Sequence, residues 1–287
     1  MAICACMLVP VAASAENLAR DYLPAPPGTV ASMLYWNHVS SNSLYADGEK
    51  TAGADYSGNI GLWREVYYWQ LGPFQGAVDF IVPFGNQSLS NPDDSASGVG
   101  DPILLGTIWF LNKTSTKSYI GFTPYFFLPF GQYNRSGLSM GDNRWAFREE
   151  LNYTQGFEVI PNHNAYFEIT VSGDFFTDNN DYGATGTTQS KDPLFNLESH
   201  LSYDLTKDWW ISADFYGRWG GAISYDQLTG ISRTNTQAIG GTLAYNIIPG
   251  WQILMQYRGD VAVDNGYQTQ TFLARLLYAT NFDQFCR

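Results

Sequence analysis

Ala165-Tyr166-Phe167-Glu168-Ile169-Thr170-Val171-Ser172-Gly173-Asp174-Phe175 alternates with a period of two. The odd positions carry Ala165, Phe167, Ile169, Val171, Gly173 and Phe175, and the even ones Tyr166, Glu168, Thr170, Ser172 and Asp174. Successive side chains of a strand leave on opposite faces, so the stretch reads as a strand between an apolar and a polar medium. The pattern recurs downstream. Phe195, Leu197, Leu201 and Tyr203 oppose Asn196, Glu198, His200 and Ser202, with Ser199 the polar exception on the apolar side. Trp209, Ile211, Ala213, Phe215, Gly217 and Trp219 oppose Trp210, Ser212, Asp214, Tyr216 and Arg218. Trp251, Ile253, Met255 and Tyr257 oppose Gln252, Gln256, Arg258 and Asp260.

Each stretch has about the 9–11 residues that a tilted strand needs to cross a bilayer. Trp209, Trp219, Trp251 and Tyr203 stand near their ends, at girdle positions. Further strands are expected over approximately Thr29–Ser40, Asn59–Leu71, Phe74–Val82, Pro102–Asn112, Ser118–Leu128, Arg144–Phe157, Thr236–Ile247 and Gln270–Tyr278. The total is about twelve, an even number, as in bacterial barrels. The earlier stretches alternate less cleanly: Phe126, Phe127 and Leu128 are consecutive, and Glu65 and Glu149 fall on faces that should be apolar. Connections alternate in length. Leu71-Gly72-Pro73, Leu205–Asp208 and Pro249-Gly250 read as tight turns, whereas 41–57, 85–97, 131–143, 177–192 and 220–235 are long and polar. Short turns on one side and long loops on the other mark an outer-membrane barrel. Closure follows, because no water in lipid can satisfy an open sheet edge. The fold class is therefore an all-β, transmembrane, antiparallel up-and-down barrel.

Composition agrees. The 287 residues include 9 Trp, 19 Tyr and 18 Phe, and no apolar run approaches a membrane-spanning helix. Mean hydropathy is −0.20, since apolar and polar residues are interleaved. Net charge is −12, which excludes a nucleic-acid partner because phosphate neutralisation needs clustered Lys and Arg. Residues 1–15 have a short apolar run and an Ala13-Ser14-Ala15 cleavage signature, so they read as a signal peptide, though one lacking a positive start. Cleavage would remove Cys4 and Cys6 and leave Cys286 without an intrachain partner. Residues 16–28 then form an N-terminal lead-in, and 29–287 the barrel. Pro24-Ala25-Pro26-Pro27 cannot join a central strand. It reads as an ordered periplasmic entry or as part of a segment that narrows the lumen.

Several motifs stand out in order: Glu16 to Thr29, Leu44-Tyr45-Ala46-Asp47-Gly48, Gly100-Asp101-Pro102, Gly121-Phe122-Thr123-Pro124-Tyr125, Gly141-Asp142-Asn143-Arg144-Trp145 and Asp264-Asn265-Gly266-Tyr267. Together they resemble the outer-membrane channel family of the meta-pathway of phenol degradation, over nearly all of the mature chain. The resemblance implies a monomeric twelve-stranded barrel that conducts small solutes, often in bacteria that degrade aromatic compounds. One departure is the end of the chain. Barrels of this class usually close on an aromatic residue, but here Leu276-Leu277-Tyr278 is followed by nine residues ending in Phe285-Cys286-Arg287. Either the strand runs on towards Phe285 or the tail is an extension.

The expected lumen face carries Glu168, Asp174, Glu198, His200, Asp214, Tyr216, Arg218, Arg258, Asp260 and Arg275. Mixed charges at depth need partners, so these residues read as a stiffening ion-pair network, as a polar ladder that screens solutes, or as both. Tyr166, Trp210 and Tyr216 offer aromatic faces to a solute or simply fill space. Arg144, Arg148 and Glu150, beside a long loop, read as a salt bridge before an anion-attracting patch. No pair among His38, His163 and His200 has metal-ligand spacing. His200 has Ser199 and Ser202 nearby, but Ser199 points to the opposite face. Asp178 to Gly183 lacks the spacing and terminal Glu of a calcium loop. No cofactor or metal is expected and no enzymatic activity. The partners are outer-membrane lipid and small-molecule solutes, and the barrel is expected to be a monomer. The expected function is passive diffusion of small solutes, aromatic or otherwise poorly polar. A phospholipase-like barrel and a structural or adhesive barrel with a blocked lumen are the rivals.

Overall fold

The computed structural model describes residues 16–51, 55–226 and 228–281. The expected signal peptide, all three cysteines and the tail beyond Asn281 lie outside the described residues. Twelve long strands follow in order: β1 (Thr29–Ser41), β2 (Tyr56–Leu71), β3 (Phe74–Ser90), β4 (Ile103–Lys113), β5 (Ser118–Phe127), β6 (Ala146–Ile160), β7 (His163–Phe176), β8 (Leu194–Asp204), β9 (Trp209–Gly220), β10 (Thr234–Ile248), β11 (Trp251–Val263) and β12 (Gln270–Asn281). Each pairs antiparallel with the next, and β1 also pairs with β12, from Thr29↔Asn281 to Ser40↔Gln270. The sheet thus closes on itself. No described helix is long and apolar enough to cross a membrane.

The sequence period sorts side chains with the polarity of a soluble protein reversed. On β7, Phe167 and Phe175 are 40% and 47% exposed, while Glu168 and Asp174 are 1% and 5% exposed. Apolar residues form the outer belt, and charged ones face the lumen. Aromatic pairs mark both borders of the belt. Trp209 stacks on Tyr245 at 4.3 Å and Trp251 lies 4.7 Å from Tyr278 at the turn end, whereas Trp145 stacks on Phe147 at 6.5 Å at the loop end. Glu65 does face outward, but its two oxygens accept Trp63 Nε1 at 2.8 Å and Ser32 Oγ at 2.7 Å. Glu149 also faces outward, three residues from the loop end of β6, where water is near. Ile169, mid-strand on the same belt, gives a direct check: Ile169→Arg is expected to cost about 2–4 kcal/mol in denaturant titration of the folded barrel.

The weak alternation of the early strands has a cause inside the barrel. Ala31, Met33 and Tyr35 of β1, Val66 of β2, Ala77 of β3 and Trp109 of β4 face inward and are buried in one apolar cluster. Both faces of these strands are therefore apolar. One expected loop is not a loop. β3 continues through Pro83 to Ser90 and forms a hairpin with the short strand Asp93–Val99, covering most of 85–97. β4 pairs with β3 only as far as Ile81, so Pro83, which lacks an N–H, stands where the neighbour changes and no ladder donor is missed. Elsewhere the long polar stretches build small sheets above the barrel. Asn179–Tyr182, Thr187–Lys191, Ile223–Tyr225 and Leu228–Ile231 form one, and Leu44–Ala46, Glu49–Lys50 and Gly266–Tyr267 another.

Candidate functional site

The lumen is occupied by the chain's own N-terminal segment, residues 16–25. The Pro-rich stretch leads from the lumen to β1, and Gly28, at φ +82°, turns the chain so that its N–H reaches Tyr68 O at 2.8 Å. Inside, residues 18–23 form tight turns, with Asp21 N on Leu18 O at 3.1 Å and Leu23 N on Arg20 O at 3.2 Å. Leu18, Ala19 and Tyr22 are 4%, 0% and 5% exposed. Leu18 and Ala19 belong to the apolar cluster that also holds Met33, Tyr35, Trp109, Trp210 and Leu254. Of the two readings of the Pro-rich stretch, these contacts are those of a segment that narrows the lumen. Beside it lies a cavity of about 30 Å3, lined by Glu16, Asn17, Tyr35, Arg64 and Tyr125 among others, with room for no more than a few waters.

Opposite walls hold the segment with opposite charge. On β6 to β9, carboxylates accept its donors. Asn17 N donates to Glu198 Oε2 at 3.0 Å, Asn17 Nδ2 to Glu150 Oε1 at 2.9 Å, and Arg20 N to Glu168 Oε2 at 2.7 Å. Arg20 also pairs with Asp204 at 2.8 Å, and its guanidinium lies over the rings of Tyr166 and Trp210. On β2, β11 and β12, arginines take its carboxylates. Asp21 contacts Arg64 at 3.3 Å and Arg275 at 2.8 Å, and Glu16 pairs with Arg258. None of these contacts is a strand ladder.

The residues marked from the sequence fall as follows. Glu168, Glu198, Arg258 and Arg275 touch the segment directly, and Tyr216 Oη donates to Asn17 O at 3.3 Å. Tyr216 also carries Arg258 over its ring at 5.0 Å. His200 and Asp214 sit behind this contact layer. His200 Nδ1 is 2.8 Å from Asp214 Oδ1, and Ser212, Thr242 and Gln256 donate to the same carboxylate. Ser202 beside His200 accepts Arg20 Nε at 3.0 Å. Asp174 is bound by Arg148, with Nε at 2.6 Å. Arg148 is thus in a buried ion pair, and Glu150 lies 4.0 Å away. Asp174→Ala is expected to destabilise the barrel by about 3–5 kcal/mol in the same titration, because it leaves a buried guanidinium without its carboxylate. Arg218 is half-buried and takes no ion pair among the described residues. Asp260 stands apart: its carboxylate accepts Thr269 N at 2.6 Å and Thr269 Oγ1 at 2.8 Å and braces the loop before β12. Among the described residues no group of three His, Asp or Glu side chains is arranged to hold a metal.

Sequence reading missed Asn17, Asp21, Tyr22, Arg64 and Asp79. Arg64 donates to Asp79 Oδ2 at 2.8 Å through Nε. Their signal was present: a charged residue interrupts each of two largely apolar strands, β2 and β3, and the two are near-neighbours across the pair.

The sequence motifs meet in pairs. Tyr45 pairs with Gly266 and Asp47 N reaches Asn265 Oδ1 at 3.0 Å. Asp101 accepts Gly131 N at 2.8 Å and Asp142 N at 2.7 Å, while Asp142 pairs with Arg144 at 3.2 Å. Burial pushes the Asp101 carboxyl up from its ordinary value, against the pull of the two N–H donors. Tyr22 meets Thr123 and, through Glu150, Tyr125.

Solved structures share this architecture. An outer-membrane channel from Pseudomonas putida F1 superposes with a TM-score of 0.86 at 24% identity, covering 92% of this chain and 100% of that one. The β domain of the Bordetella autotransporter BrkA (TM-score 0.51, 12% identity, 87% and 100% covered) and the translocator domain of NalP from Neisseria meningitidis (0.51, 12%, 88% and 89%) are more distant. No curated protein shows significant sequence similarity. Closed strands and an outward apolar belt place the chain in the bacterial outer membrane. The family described as "Putative MetA-pathway of phenol degradation" matches residues 41–276, most of the barrel, and the chain belongs to it.

Proposed function

We propose that the protein is a passive diffusion channel for small solutes, seen with its lumen filled, and not an enzyme. One observation carries this reading: the material that fills the lumen is a non-strand segment held by side-chain hydrogen bonds, ion pairs and apolar contacts. Such contacts can be exchanged without unzipping the barrel, whereas a plug woven into the sheet could not move. Glu168, Glu198, Tyr216, Arg258 and Arg275 then line the constriction, with Glu150 and Arg64, and Arg218 stands free to meet a passing solute. Asp174, His200 and Asp214 hold that lining in place. The solute is small and at least partly aromatic, as the faces of Tyr166 and Trp210 suit stacking once the Arg20 guanidinium leaves with the segment. The barrel works as a monomer in this reading, and its closed sheet leaves no strand edge for pairing with a second copy.

The filled lumen also suits a structural barrel that never conducts. Single-channel recording of the purified protein in planar bilayers, with a panel of small solutes added, separates the two. Discrete openings blocked by a solute support the channel, and permanent silence, with and without the segment, supports the structural barrel. Within the channel reading, Arg218→Glu is expected to lower anion permeability, read as a shift of reversal potential in a salt gradient.

A further inference from the structure

We propose that the lumen wall contains a binding site for a hydroxylated aromatic ring, which Tyr22 of the chain's own segment occupies as an internal ligand. The inference deepens the channel reading and rests on it for its biological meaning, but the site can be tested separately.

The pocket is built wholly from the barrel. The Tyr22 hydroxyl donates to Glu150 Oε1 at 2.7 Å and lies 2.7 Å from Thr123 Oγ1. Glu150 and Thr123 are each 1% exposed, so the phenol meets a desolvated acceptor and a second hydroxyl. Glu150 Oε1 also accepts Tyr125 Oη at 3.0 Å, while its buried Oε2 has no hydrogen-bond partner. A buried carboxylate is costly unless donors reach it, and the Tyr22 hydroxyl supplies one at Oε1 beside Tyr125 and Asn17 Nδ2. Against the ring stands Gly121: a Cβ there would lie 2.9 Å from Tyr22 Cδ1 and Cε1, so only glycine leaves the space. Trp109 Nε1 fixes the segment's approach by donating to Tyr22 O at 3.1 Å. An aromatic slot floored by glycine and closed by a hydroxyl acceptor is a site for a phenol-shaped molecule. All of these groups belong to β4, β5 and β6, so they remain when the segment withdraws.

A tethered ring competes at an effective concentration in the millimolar range, which hides the site in the intact protein. Removing the ring exposes it. In the full mature chain, Tyr22→Ala leaves a ring-sized void with the acceptor intact. The probe is phenol, with benzene and cyclohexanol as controls for the hydroxyl and for the ring. Binding is read by ligand-observed NMR on the detergent-solubilised, heat-modifiable barrel, and channel activity by planar-bilayer recording. The expected result is that Tyr22→Ala binds phenol at least roughly tenfold more tightly than wild type does, and than it binds benzene, because a site built for a hydroxyl is left unpaired by an analogue lacking one. Adding Glu150→Gln should remove most of that preference. Tyr22→Ala is expected to conduct more than wild type, and phenol to lower that conductance by returning a ring to the slot. A folded Tyr22→Ala barrel that binds phenol no better than wild type, or no better than benzene, overturns the site. If phenol binds as expected but a barrel lacking residues 16–23 conducts nothing, the site stands and the channel reading is what fails.

Discussion

Deleting residues 16–23 from the mature chain is expected to raise the open-channel current in planar bilayers by roughly tenfold or more, since twelve strands enclose a lumen wider than one filled by side chains alone. Leu18, Ala19 and Tyr22 of the segment are almost wholly buried in that lumen, and the cavity beside them holds about 30 Å3. Deletion removes no ladder hydrogen bond, because β1 begins at Thr29 and closes on β12 by itself. The barrel should therefore still fold, as judged by its heat-modifiable mobility. It should nonetheless be less stable than the intact protein. Glu168 and Glu198 lose the donors of the segment, Glu150 keeps Tyr125 but loses Asn17 and Tyr22, and Arg64, Arg258 and Arg275 lose carboxylates, although water now reaches all six. A deletion barrel that folds and passes no more current than the intact chain would refute the gating role of the segment.

The second large effect concerns charge. In the deletion barrel, Glu198→Lys is expected to shift selectivity from cations towards anions, and Arg258→Glu to shift it the other way. The reason lies in strand order. Glu150, Glu168, Glu198 and Asp214 lie on β6 to β9, while Arg64, Arg258 and Arg275 lie on β2, β11 and β12. In a ring of twelve these two groups occupy different arcs, with β10 between them on one side and β3 to β5 on the other. A permeating ion crosses a transverse field between them, in a narrow space where interactions are screened far less than in bulk water. Reversing one member changes the local charge by two and should move the reversal potential in a salt gradient several-fold beyond any change given by Ser199→Lys, which faces the lipid side. Equal reversal potentials for the two charge-reversed barrels would show that the walls only stiffen the structure.

The same strand order separates what sequence reading reaches from what it does not. Period-two alternation in 165–175, 195–203 and 209–219 was enough to assign strands, because one face meets lipid and the other a charged lumen. It blurred in β1 to β4, where the inward Ala31, Met33, Tyr35 and Val66 are as apolar as the outward Leu34 and Trp36. Alternation reports a contrast between two media, and where the lumen is locally apolar the contrast vanishes. Strand ends shifted for a related reason: the hairpin at 85–97 is polar on both faces above the membrane and has the composition of a loop.

Side-chain periodicity, aromatic borders and alternating loop lengths by themselves determined a closed outer-membrane barrel, while inward polar residues of the less regular strands, Arg64 and Asp79, escaped them. Which inward residues meet was decided only by the tertiary structure. Glu150, Glu168 and Glu198 are far apart in the chain and join one wall because β6, β7 and β8 are neighbours whose register sets Glu150 across from Ser172, Glu198 across from Thr170 and Glu168 across from His200. Asp21 reaches Arg275 across 254 positions. The fate of residues 16–25 was equally out of reach of periodicity, because a segment without regular structure has no period to read. Its place in the lumen is fixed by complementary charge and by an apolar collar, both of which exist only once the ring has closed.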